Sequence, residues 1–165
     1  MLDYYLILFI LTIMRFIIYL FLVFPLFICS SVFSNDNLVK YEIIDFEIPM
    51  SLTNEPGNPA RGKDIASSRD GNCLACHVLP GVNELFHGNI GPSLEGVGNR
   101  YNISELRLRL VNPYILNPET IMPAFYKVEG FSRVYKKFVG KPLLNAQEIE
   151  DVISWLSTLR KDQNE

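Results

Sequence analysis

Two cysteines and a histidine stand within five positions of one another in "GNCLACHVLPG", residues 71–81: Cys73, Cys76 and His77. The chain of 165 residues has only three cysteines and two histidines, so three of those five residues are packed into one short stretch. A CxxC pair can form a disulfide, half of a zinc site, a redox dithiol or the attachment site of a c-type haem. On a helical turn, residues i and i+3 share a face with Cβ atoms about 5–6 Å apart. That spacing lets two thiols reach the two vinyl groups along one edge of a porphyrin. His77 follows directly, and its imidazole can swing under the iron while thioethers hold the ring, which is why the attachment signature carries a histidine at that place.

The other uses of the motif find less support. A structural zinc takes four ligands, and outside the apolar N-terminal run only His87 and no further cysteine remain. A redox dithiol is expected on a βαβ scaffold, and no such pattern is present. A structural disulfide leaves His77 and the glycine-rich stretch behind it without a purpose. Covalent haem c, one per chain, is therefore the expected cofactor, with the disulfide as the alternative.

Iron bound by His77 has a sixth position, for which His87, Met50 and Met122 are the candidates. His87 lies ten residues from His77 in a flexible stretch and is expected at the surface. Met50 lies in an N-terminal arm, where apolar packing is the expected role. Met122, in "TIMPAFY", stands 45 residues past His77, and Pro123 pushes its backbone into an extended conformation. A thioether on such a loop makes Met122 the expected second metal ligand beside His77. His/Met ligation raises the reduction potential, which suits electron transfer. A haem sensor would instead leave the sixth position open.

The elements that must position these residues begin after a long apolar run. From Tyr4 to Ile28 the one charged residue is Arg15. Read from Met14, "MRFIIYLFLVFPLFICSSVFS" has a basic residue at position two, an apolar core and small residues before a cleavage point after Ser34, the pattern of a signal peptide. Residues 1–34 are thus expected to be a signal peptide, with Met14 as the expected start, and the protein to be exported to the periplasm. Ile28 before Cys29 is too bulky for the usual lipobox, so Cys29 is expected to leave with the leader. The remaining 131 residues suit one domain. An acidic balance of 18 Asp and Glu against 15 Lys and Arg gives no reason to expect nucleic-acid binding.

Residues 35–57 read as an N-terminal arm, with a short β-like stretch "VKYEIIDFEIP" followed by turn-forming "SLTNEPGNP", and 58–165 as the main domain. Asn58 can cap a helix with Pro59 at its first position. Residues 78–100 hold five glycines, two prolines and three asparagines, a stretch that must wrap around something rather than form a regular element. Ser104 opens a second helix that ends before Pro113. The last runs from about Asn145, with Glu148 at the capping-box position, to Leu159. Three modest helices leave too little periodic core for 131 residues, so a large group must fill the middle. The basic residues Lys127, Arg133, Lys136, Lys137 and Lys141 read as a solvated face, with docking of a partner as the sharper alternative.

With the haem motif placed, the chain resembles class I cytochrome c: "GPSLEGVGNR" is similar to that fold's GPxLxGxxGR stretch. The resemblance implies an all-α fold, helices wrapped around one covalent haem, with the arm in front. It implies that the Pro92 carbonyl accepts a hydrogen bond from Nδ1–H of His77, that Arg100 approaches a haem propionate, and that Gly62 and Trp155 meet where the first and last helices cross. More narrowly, "GNCLACHVLPG", "GNIGPSLEGVGNRY", "NPETIMPAFY" and "EIEDVISWLSTL" together resemble the monohaem SoxX cytochromes of bacterial sulfur oxidation, over about residues 48–160. That family implies a SoxA-type cytochrome as partner in a periplasmic heterodimer, an L-cysteine S-thiosulfotransferase that joins thiosulfate to a cysteine of the SoxYZ carrier protein. The bond-forming site belongs to the SoxA subunit. Cys73 and Cys76 are consumed by the haem here, so this chain is expected to take up electrons and pass them to a downstream cytochrome. The alternative is a freestanding periplasmic electron carrier.

Overall fold

Each of the three longer helices starts at an asparagine, whose side-chain oxygen can satisfy backbone N–H groups that the first turn leaves unpaired. In the computed structural model, which describes residues 9–15 and 38–161, Asn58 Oδ1 accepts from the N–H groups of Ala60 and Arg61, and Pro59 opens α1 (Pro59–Ser67). A one-turn helix, α2 (Val97–Arg100), follows Gly96. Asn102 and Glu105 then form a capping box at the start of α3 (Ile103–Val111). Asn145 and Glu148 form another at the start of α4 (Ala146–Thr158). The helix expected from Ser104 thus begins one residue earlier, and α2 is a regular turn inside a stretch expected to hold none. Residues 9–15 are helical. The rest of the expected leader, with Cys29 and the expected cleavage point after Ser34, lies outside the described residues. Among those described, no helix is long and apolar enough to cross a membrane.

Packing of α1 against α4 depends on a missing side chain. A Cβ at Gly62 would collide with the backbone of Asp151 and Val152, so the two helix backbones touch there. The Asp151 carboxylate reinforces the crossing. It accepts from the Asn58 N–H at 2.7 Å and from Gln147 Nε2 at 3.1 Å, and pairs with Arg61 Nε at 2.9 Å. Burial alone would raise its pKa, but these hydrogen bonds and the Arg61 charge outweigh burial and hold it below the usual carboxylate range. Ile149, Val152 and Ile153, each no more than 1% exposed, carry the core face of α4.

The β-like stretch of the arm reduces to one isolated bridge between Ile44 and Glu47, with Asp45 and Phe46 both in the left-handed region between them. No strand extends it among the described residues, because the backbone beyond the turn finds other partners. Ile48 N–H donates to Ser104 O, and Leu52 N–H donates to Glu150 Oε1. Arg107 completes the anchor. Its guanidinium meets the Glu150 carboxylate through two hydrogen bonds of 2.7 and 2.9 Å and donates to the Ile48 carbonyl at 2.6 Å. Arg107 is 3% exposed and Glu150 6%. The arm is therefore welded to α3 and α4 by a buried ion pair.

Candidate cofactor site

The chain enters the cysteine motif at Gly71, where a Cβ would strike the backbone of Ile65 at the end of α1. Asn72 takes a left-handed conformation, and Cys73–Ala75 form a single 3-10 turn. The N–H groups of Cys76 and His77 both donate to Cys73 O, at 3.1 and 2.9 Å. One turn thus carries both sulfurs and the imidazole. Both cysteines are free thiols, not a disulfide. Burial pushes the Cys73 thiol up to about 11, whereas redox CxxC thiols are depressed to about 3.5–7.5. That environment keeps Cys73 protonated at neutral pH and does not suit a redox dithiol.

What the glycine-rich stretch wraps is this turn. Gly88 N–H donates to Leu74 O and Gly91 N–H to Cys76 O, both at 2.8 Å, and Leu94 N–H donates to Val78 O at 3.0 Å. His87 is half-buried, and its Nδ1 accepts the Leu79 N–H at 2.9 Å. It is a clasp between the two ends of the wrap rather than the surface residue expected. A Cβ at Gly91 would occupy the place of the His77 ring, so the loop lies flat against the imidazole. In the next residue, the Pro92 carbonyl oxygen is 2.6 Å from His77 Nδ1. A carbonyl only accepts, so Nδ1 carries the proton and Nε2 is left with its lone pair.

These residues border a cavity of about 880 Å³, at the upper end of the roughly 300–1,000 Å³ that enclose small molecules and cofactors. Its wall includes Cys73, Cys76, His77, Pro92, Arg100 and Met122. Leu110, Val152 and Leu156 supply apolar wall from α3 and α4. Of the sixth-ligand candidates, Met122 alone borders this space; Met50 is 77% exposed, so the packing role expected of it is not realised. Thr120 Oγ1 accepts the Met122 N–H at 3.2 Å and fixes the loop that presents the thioether. Arg100 spends both terminal nitrogens on carbonyls, Glu95 O at 2.6 Å and Ser93 O at 3.1 Å. It braces the loop that carries Pro92.

Two thiols at haem-attachment spacing, an imidazole oriented by a carbonyl, a thioether and an apolar wall fit a covalent haem. No group of three or more His, Cys, Asp and Glu residues among those described is arranged for a metal ion alone. Sequence reasoning weighed His87 only as an iron ligand or a surface residue and gave Gly91 no role beside His77, although "HGNIGP" marked the place. It also missed Arg109, which borders the cavity with its guanidinium 3.6 Å from the centre of the Tyr101 ring.

Comparison with known proteins accords with this geometry. The family model for cytochrome c matches residues 59–160. A chain in the crystal structure of SoxXA from P. pantotrophus superposes with a TM-score of 0.68 at 40% sequence identity, covering 73% of this chain and 95% of that one. No curated protein sequence matches.

Proposed function

Since the chain belongs to the cytochrome c family, as a SoxX-type cytochrome carrying one covalent haem c, we propose that it is the electron-accepting subunit of a periplasmic L-cysteine S-thiosulfotransferase. Haem c supplies a centre that gains and loses one electron at a time. Cys73 and Cys76 would hold it through thioethers, and His77 and Met122 would be its iron ligands. The Pro92 carbonyl keeps the His77 proton on Nδ1 and so leaves Nε2 for the metal. Arg100, on the cavity wall, would stand near a haem carboxylate while its terminal nitrogens brace the Glu95 and Ser93 carbonyls.

The partner is a SoxA-type cytochrome, and the substrate is thiosulfate together with a cysteine of a SoxYZ-type carrier. Joining a thiol to thiosulfate forms one S–S bond and releases one proton and two electrons. This chain passes the electrons singly to a downstream cytochrome. One observation carries the division of labour: the two described cysteines both border the cofactor cavity, which leaves no other thiol among the described residues to form the sulfur–sulfur bond. Purification from the native periplasm, with haem-stained gels and a thiosulfate-conjugation assay, tests the reading. Recovery with a second haem protein and activity only in the pair is the expected result. A lone monohaem protein inert in the assay beside any partner would reduce it to a freestanding electron carrier.

A further inference from the structure

Two imidazoles fasten the 79–94 stretch to the cofactor turn, and they use Nδ1 in opposite senses. Nδ1 of His77 donates to the Pro92 carbonyl, whereas Nδ1 of His87 accepts the Leu79 N–H at 2.9 Å. A His77 ligated through Nε2 keeps the first contact across neutral and acidic pH. The second needs a lone pair on Nδ1, so it exists only while His87 is neutral with its proton on Nε2. A protonated imidazole is a donor at both nitrogens and would set N–H against N–H. Leu79 cannot turn to water for a substitute: it is 1% exposed, and a buried N–H without an acceptor is costly. Packing does little to hold the loop in its place, because at the tip Leu85 is 91% exposed and Phe86 88%. From the clasp, backbone bonds run on to the ligand, with Gly88 N–H on Leu74 O and Gly91 N–H on Cys76 O, and Pro92 follows. Few charges surround the clasp. Glu84 lies exposed on the loop itself, and α1 brings the Lys63 ammonium 3.8 Å from the Cβ position of Gly81. The cofactor turn, residues 72–78, holds no titratable side chain besides Cys73, Cys76 and His77. His87 forms no ion pair among the described residues.

We infer that His87 is a proton-sensitive positioning residue for His77: neutral, it clasps the loop that carries Gly91 and Pro92; protonated, it releases that loop and weakens the carbonyl contact that orients the ligand. This role presupposes His77 as the iron ligand, not the sulfur chemistry proposed above. A hydrogen bond from Nδ1–H makes an imidazole a more basic ligand, which favours ferric iron. Loosening that bond and placing a positive charge at His87 both favour ferrous iron. The reduction potential should therefore rise as pH falls through the range where imidazoles titrate.

Spectroelectrochemistry of the holo-protein between about pH 8 and 5, with amide exchange at Leu79 measured in parallel, provides the test. His87→Asn puts an oxygen on Cγ where Nδ1 stands, an acceptor that does not titrate, and His87→Ala removes the acceptor. In the parent, acidification should raise the ferrous-to-ferric ratio severalfold at a fixed electrode potential. Protection of the Leu79 amide should fall about tenfold over the same range. Both steps should be absent in His87→Asn, which matches the parent at the alkaline end. His87→Ala should show low Leu79 protection at every pH; if it does not fold, the Asn variant decides alone. Equal acid responses in the parent and His87→Asn would overturn the proposal. So would a parent whose Leu79 protection falls while its potential holds still, since the clasp would then open without reaching the ligand. His77→Gly checks the premise separately: the low-spin spectrum should be lost and should return with added imidazole. A low-spin spectrum retained without imidazole would take His77 off the iron and the positioning role with it.

Discussion

Nδ1 of His77 lies 2.6 Å from the carbonyl oxygen of Pro92, and Gly91 lets the intervening backbone lie against the ring. The contact sets the tautomer and the orientation of the imidazole together. Gly91→Ala is expected to displace His77, to lower thermal stability by the roughly 1–3 kcal/mol typical of overpacking and to change the ferric absorption spectrum. Gly88→Ala collides instead with the Ala75 backbone. It should lower the melting temperature and leave the spectrum of the assembled protein unchanged. Calorimetry and absorbance on the two variants check this.

Met122→Ala should open the sixth position. The expected ferrous variant is high-spin and binds carbon monoxide, while the parent stays low-spin and resists it. Met50→Ala, at a side chain outside the cavity, should match the parent. Absorption spectra with and without carbon monoxide decide the matter.

Breaking the buried Arg107–Glu150 pair leaves one charge without its partner. Glu150→Ala also strips the Leu52 N–H of its acceptor. The loss expected in urea unfolding is about 3–5 kcal/mol. Removing Lys161, whose ammonium stands 4.0 Å from Glu95 with both side chains more than half exposed, should cost under about 1 kcal/mol.

Asp151 predicts the acid side of the stability profile. Its folded pKa is depressed, so the unfolded chain takes up a proton first as pH falls. The stabilisation is complete above the unfolded value of about 3.9 and is lost as pH drops through the lower folded value. In Asp151→Asn this component should be absent, so that the variant's stability falls less steeply than the parent's below about pH 4. Denaturant titrations at stepped pH between neutral and strongly acidic conditions measure the slope.

The local signals were legible in the chain. Asn58 and Asn145 carry their cap chemistry in single side chains, and the spacing of Cys73, Cys76 and His77 is short enough to state its own geometry. Arg107 and Glu150 were not legible, because on helical periodicity both count as solvent-facing charges. Only the meeting of α3, α4 and the arm makes them a buried pair. The arm misled for a related reason: its alternating residues suit a strand, yet Ile48 and Leu52 find hydrogen-bond partners on helices. Gly91 could be read only as punctuation until the His77 ring was seen against it.

The most direct test of the account is rapid mixing of this chain with its SoxA-type partner, a SoxYZ-type carrier and thiosulfate, following the ferrous absorbance of this chain's haem. The account predicts reduction only when partner, carrier and thiosulfate are all present. Reduction of the isolated chain by thiosulfate at the same rate, or no reduction in the complete mixture, would contradict it.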